Sequence, residues 1–168
     1  MTEQHFEVRP AHQEDADRLI ELRSYYVSSL YQNILDKDML AEWCRYEAPI
    51  IGEWLAQGRY HIDVLVINDR IMGYIVYGAS GEPDMGMIVE ARAEYPGAAE
   101  GRHILIRHAL DVFRQDGFHT VKTWLQHDNF RIRFLFESLG FYRDGTQKIN
   151  TALTEEYAYD GYAYQFRR

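Results

Sequence analysis

Two runs in the middle of the chain, IDVLVIN at 62–68 and IMGYIVYGA at 71–79, are rich in β-branched and aromatic residues, and only Asp69 and Arg70 separate them. So short a gap leaves no room for a crossover helix. The runs must therefore pair antiparallel and turn around Asn68 and Asp69, residue types that tolerate left-handed backbone. A turn-rich GEPDMG at 81–86 then leads into MIVEARAEY, which reads as a third strand of the same meander. A central sheet is thus fixed before any helix is considered.

The flanking segments supply helices. FEVRPA at 6–11 reads as a short strand, and EDADRLIELRSYYV after it carries Ala16, Leu19, Ile20 and Leu22 at helical spacing. Met39, Leu40 and Trp43 repeat that spacing. Pro49 opens a further short helix through Ile50, Ile51, Trp54 and Leu55 that stops at Gly58. From Gly101 to Gln115 the residues Ile104, Leu105, Ala109, Leu110, Val112 and Phe113 form a broad apolar face, ended at Gly117. HTVKTWLQ then reads as a strand, NFRIRFLFESL as a short helix stopped by Gly140, and FYRDGTQKI and GYAYQFRR as two closing strands joined by a polar connection. The alternation in EEYAYDGYAYQFRR fits a half-exposed strand available to pair across a homodimer. The expectation is one α/β (α+β) domain over 1–168, a mixed sheet with helices on its faces.

A formal charge of −8 over 168 residues argues against a general nucleic-acid binder, whose affinity comes from cations neutralising phosphates. No apolar run reaches the roughly 20 residues that span a bilayer, so no membrane partner is expected. Cys44 is the single cysteine, which rules out an intramolecular disulfide, and MTEQHFEVRP lacks the apolar core of a signal peptide; a cytoplasmic location is expected. The seven histidines form no HExxH or Cys-His pattern, so no metal is expected. The aromatic group Tyr25, Tyr26, Tyr31, Trp43, Tyr46 and Trp54 is read chiefly as packing, with one or two members lining a pocket.

The stretch YPGAAEGRHIL at 95–105 joins a strand to a helix. A helix N-terminus presents several N–H groups without intrahelical partners, and the dipole favours an anion there. Gly97, Ala98, Ala99 and Gly101 are small enough for a ligand to approach the backbone, and Arg102 adds positive charge; Glu100 opposes it.

On this loop and on NFRIRFLFESLGF at 129–141 the sequence resembles the GNAT N-acetyltransferase superfamily. The first segment falls on the family's Gln/Arg-x-x-Gly-x-Gly/Ala pattern, with Pro96 and Ala99 replacing its first and fourth positions and Gly101 matching its last. The second keeps the spacing of N-x-x-A-x-x-L-Y-E-x-x-G-F through Asn129, Leu135, Glu137, Gly140 and Phe141, with Ile132 for the small residue and Phe136 for the tyrosine. The resemblance implies a mostly antiparallel sheet of six to seven strands with helices on both faces. It implies acetyl-CoA or another acyl-CoA as co-substrate, with the diphosphate on Gly97–Arg102 and the thioester carbonyl on backbone N–H groups at Ala91, Arg92 and Ala93. Asn129 and Phe136 would flank the coenzyme.

The implied reaction is direct attack by a primary amine of a small molecule or protein. Glu90 and Asp84 are the nearest carboxylates for removing its proton, and Tyr142, Tyr95 or His127 stand in for the missing tyrosine as proton donor. Arg131 and Arg133 are further candidates for reaching the nucleotide phosphates. The alternative is a chain that keeps the fold and serves as an acyl-CoA sensor or interaction module, favoured by Pro96, Glu100 and Phe136.

Overall fold

The computed structural model describes residues 5–94 and 98–167, and of Ala98 the backbone alone. The expected hairpin is β2 (His61–Ile67) and β3 (Arg70–Ala79). Asn68 and Asp69 take φ of 48° and 64°, the pair of left-handed residues that a tight two-residue turn needs. β1 (Phe6–Pro10) lies antiparallel on the outer side of β2, and β4 (Met85–Ala93) antiparallel to β3. β5 (Thr120–Gln126) runs parallel to β4, β7 (Glu155–Gln165) pairs antiparallel with β5, and β6 (Tyr142–Ala152) closes the edge. The order β1-β2-β3-β4-β5-β7-β6 makes one seven-stranded sheet whose single parallel pair is β4 with β5.

Three helices, α1 (Ala16–Tyr31), α2 (Lys37–Glu47) and α3 (Ile50–Gln57), precede the hairpin, and α4 (Ala98–Gln115) and α5 (Phe130–Ser138) flank β5. Strand periodicity sorts side chains to the two faces. Ile62, Val64, Tyr74 and Val76 meet Leu19, Leu22 and Ile51 beneath α1 and α3. Leu65, Ile75 and Tyr77 meet Leu105, Ile106, Ala109 and Phe113 of α4 on the opposite face, with Leu135 and Phe136 of α5 in the same cluster. Each fully buried Leu or Ile contributes about 1.5–3 kcal/mol, so both faces are anchored by burial. A smaller cluster ties Val27 and Tyr31 of α1 to Leu35 and to Ala152 of β6.

Three expectations need correction. The polar connection between the closing strands is itself strand: β6 and β7 form a long hairpin turning at Leu153 and Thr154. β7 lies between β5 and β6, so both its edges are paired within the chain and it is not available to pair across a dimer. α4 also begins earlier than expected, so Ala99 and Glu100 belong to its first turn.

The register between β3 and β4 slips where Val76 faces Glu90 and Tyr77 faces Ile88, leaving Val89 as an extra residue. Such a bulge bends its strand. The β4–β5 ladder runs only from Met85 with Thr120 to Ile88 with Thr123, where Thr123 Oγ1 donates to the Ile88 carbonyl at 3.0 Å. Beyond that point the two strands are unpaired.

Candidate active site

The splay opens a cleft. Val89–Arg92 form one wall, and Trp124, Leu125 and Gln126 of β5 the other. Tyr26 and Leu30 of α1, Arg102 of α4 and Tyr159 of β7 border it, while Asn129, Ile132 and Phe136 close the α5 side. Its volume is about 50 Å³, room for one or two water molecules.

Glu90 is buried at the cleft wall. Its Oε1 accepts from Arg23 Nε at 2.9 Å and its Oε2 from the Tyr74 hydroxyl at 2.6 Å. Arg23 also donates to the Glu47 carbonyl and stands over the Trp54 ring, 5.0 Å from its centroid. A buried carboxylate is tolerable only when so paired. Burial and the Glu90 charge push the Tyr26 phenol well above its ordinary range, and burial does the same at Tyr159. Both hydroxyls therefore stay protonated and remain hydrogen-bond donors at neutral pH.

Arg92 and Arg102 also border the cleft, and the Nε of each is buried without a partner. Burial, followed by repulsion from Arg92, lowers the pKa of the Arg102 guanidinium, and Arg131 adds to the effect.

Of the residues named from sequence, Glu90, Ala91, Arg92, Arg102, Asn129 and Phe136 come together here. Asn129 caps α5, its Oδ1 accepting from Ile132 N at 3.3 Å. Phe136 is buried edge-on against Phe141 at 5.0 Å between centroids. Ala93 and Gly101 pack against each other beside the cleft, and Ala99 and Glu100 are exposed in the first turn of α4. Gly97, with Tyr95 and Pro96, lies outside the described residues, as does the Ala98 side chain.

Asp84 and Tyr142 do not join the cleft. Asp84 is an exposed turn residue whose carbonyl accepts from His119 N and Thr120 N at the start of the β4–β5 ladder. At about 3.3 Å per residue it is some 20 Å from Glu90. Strands paired at their beginnings can open only at their ends. Tyr142 begins β6 opposite Ala163 and faces a separate groove with Leu139 and Tyr164. His127 lines an adjoining groove, its Nδ1 2.8 Å from the buried Asp160. Arg133 is taken up by the Tyr162 hydroxyl and the His127 carbonyl, whereas Arg131 is exposed. Among the described residues no group of three or more His, Cys, Asp or Glu is placed to hold a metal ion, and no helix is long and apolar enough to cross a membrane.

The residues missed from sequence are Arg23, Tyr74, Trp124 and Tyr159. Tyr26 belongs to the aromatic group of which one or two members are expected to line a pocket, but the sequence does not single it out. Nothing local marks any of the five, because each is defined by the strand or helix facing it.

The sequence matches no family model, and it matches no curated protein. Solved structures do share its architecture. The PaiA N-acetyltransferase from Thermoplasma acidophilum, in complex with coenzyme A, superposes with a TM-score of 0.76 at 14% identity over 96% of this chain and 99% of that one. The ribosomal-protein-alanine N-acetyltransferase from Brucella melitensis gives 0.74 at 14% identity over 95% and 99%. The ribosomal-protein-S18-alanine N-acetyltransferase from Escherichia coli gives 0.68 at 16% identity over 98% and 96%. With the splayed parallel pair, the bulged β4 and helices on both faces, the chain has the GNAT acetyltransferase fold.

Proposed function

We propose that the chain is an acyl-CoA-dependent N-acetyltransferase acting on a primary amine. The observation that carries this reading is the cleft between β4 and β5: beyond Ile88 the β5-facing backbone of β4 has no strand partner, in a fold shared with an N-acetyltransferase bound to coenzyme A. An extended amide chain such as the pantetheine arm of CoA can add to such an edge as a strand does. The free backbone N–H groups of the first turn of α4 suit the diphosphate.

In this reading the ammonium first loses a proton to water, the free amine attacks the thioester carbonyl, the nitrogen–carbon bond forms, the carbon–sulfur bond breaks to release the thiolate, and the second nitrogen proton passes to water. Glu90 is held by Arg23 and Tyr74, so its charge is fixed at the wall facing the incoming ammonium and orients it. Phe136 has no proton to give. A thiol with pKa near 8.5 leaves tolerably as an anion, and the protonated hydroxyl of Tyr26, which borders the cleft, supplies a hydrogen bond to developing negative charge.

The test is a calorimetric titration with acetyl-CoA, followed by thiol release in the presence of a broad set of primary amines. One-to-one binding in the micromolar range with amine-dependent release supports the reading. Absence of binding at millimolar coenzyme rejects it. Binding without release for any amine favours the sensor alternative, to which the narrow cleft and Phe136 point.

A further inference from the structure

We propose that Arg92 and Arg102 form an anion site that selects an acceptor amine carrying a carboxylate; this rests on the acyl-transfer reading above and names the substrate class for it. Among the described residues three buried polar side-chain atoms lack a hydrogen-bond partner, and two of them are the Nε atoms of these arginines. The neighbouring Arg23 and Arg18 are paired. Arg23 holds Glu90 at 2.9 Å, and Arg18 holds both Glu21 and Glu94 at 2.9 Å. Glu90 and Glu94, each two residues from Arg92, are thus both already taken, and no described carboxylate is in an ion pair with Arg92 or Arg102.

Two partly buried guanidiniums that repel each other are costly to hold without a counter-ion. That they stand together in a chain of net charge −8 points to a ligand that completes them.

Position assigns that ligand to the acceptor. Arg92 lies opposite Tyr74, whose side chain packs beneath α1 and α3, and two residues beyond Glu90 on the same face. The α4 side of the sheet, with the helix N-terminus proposed for the diphosphate, is the other face. Arg102 starts from that other face and borders the same cleft close enough to Tyr26 and Arg92 for their charges to interact. Same-face neighbours two apart on a strand are about 7 Å from each other, a span suited to a small molecule with its ammonium near Glu90 and its carboxylate near Arg92. A guanidinium fork matches the two oxygens of a carboxylate.

The standard α-amino acids and their α-carboxamides provide the test, assayed by thiol release from acetyl-CoA, with calorimetric acetyl-CoA affinity measured alongside. The expected result is at least one acid favoured over its amide by about 10- to 100-fold in kcat/KM, the worth of hydrogen bonds to a charged group. Arg92→Gln abolishes that preference and leaves acetyl-CoA affinity unchanged; Arg102→Gln also abolishes the preference, and Arg102→Lys retains part of it. Equal use of acids and amides, or acetylation of neither, overturns the proposal. So does a loss of acetyl-CoA affinity in Arg92→Gln with the acid preference intact, which would assign the arginines to the coenzyme phosphates. If the wild type binds no acetyl-CoA, the acyl-transfer reading falls separately. The anion site is then judged by titrating the amino acids alone, and it is overturned if none binds or if binding survives in Arg92→Gln.

Discussion

Glu90, Arg23 and Tyr74 share one buried network, and removing one member leaves the others uncompensated. Arg23→Ala is expected to cost about 3–5 kcal/mol in urea unfolding, as for other buried pairs broken from one side. A second titratable group sits behind the site at Asp160. Burial alone would raise its carboxyl, but hydrogen bonds from His127 and Gln147 and the charge of Arg143 outweigh this and hold it below the ordinary range. Because its folded pKa lies below the unfolded value of about 3.9, its contribution is complete above that pH and is lost as pH falls through the folded value. Unfolding free energy measured between about pH 6 and pH 2 should therefore drop more steeply for the wild type than for Asp160→Asn. The resemblance made Glu90 and Arg92 legible as site residues. It could not make Arg23 or Tyr74 so: they lie 67 and 16 residues from Glu90, and only the face each element presents brings them to it.

Among the elements, α4 is seated closely on β4 at Gly101. A Cβ there would stand 2.9 Å from the Ala93 Cβ and 3.1 Å from Leu65 Cδ2. Gly101→Ala is accordingly expected to destabilise by about 1–3 kcal/mol, and Ala93→Gly in the same chain to recover part of the loss, measured by denaturant midpoints. The glycine that carried the loop resemblance thus has a packing reason of its own. The central meander was readable because the turn residues Asn68 and Asp69 and the strand runs agree. The β6–β7 hairpin was not, since its turn places Leu153 at φ of 55° and offers no glycine, asparagine or aspartate as a signal. The bulge at Val89 was also hidden, because it depends on how β3 and β4 register rather than on either run alone.

For the molecule as a whole, a ligand that binds only the folded chain must raise its stability. Acetyl-CoA at about 100 times its Kd adds about 2.7 kcal/mol, which for a chain of this size is a rise in Tm of about 5–10 °C. Scanning calorimetry with and without coenzyme checks this, and an unmoved Tm at millimolar coenzyme counts against the proposed function. The brief ladder between β4 and β5 has another consequence. It is the seam between two antiparallel units, β1–β4 and β5–β7, and four paired positions are all that cross it within the sheet. Flexing about this seam sacrifices fewer hydrogen bonds than flexing anywhere else in the sheet, so the width of the cleft is the soft coordinate of the molecule. Backbone amides should then exchange with solvent as two slow blocks, one for each unit, divided by faster exchange along the cleft.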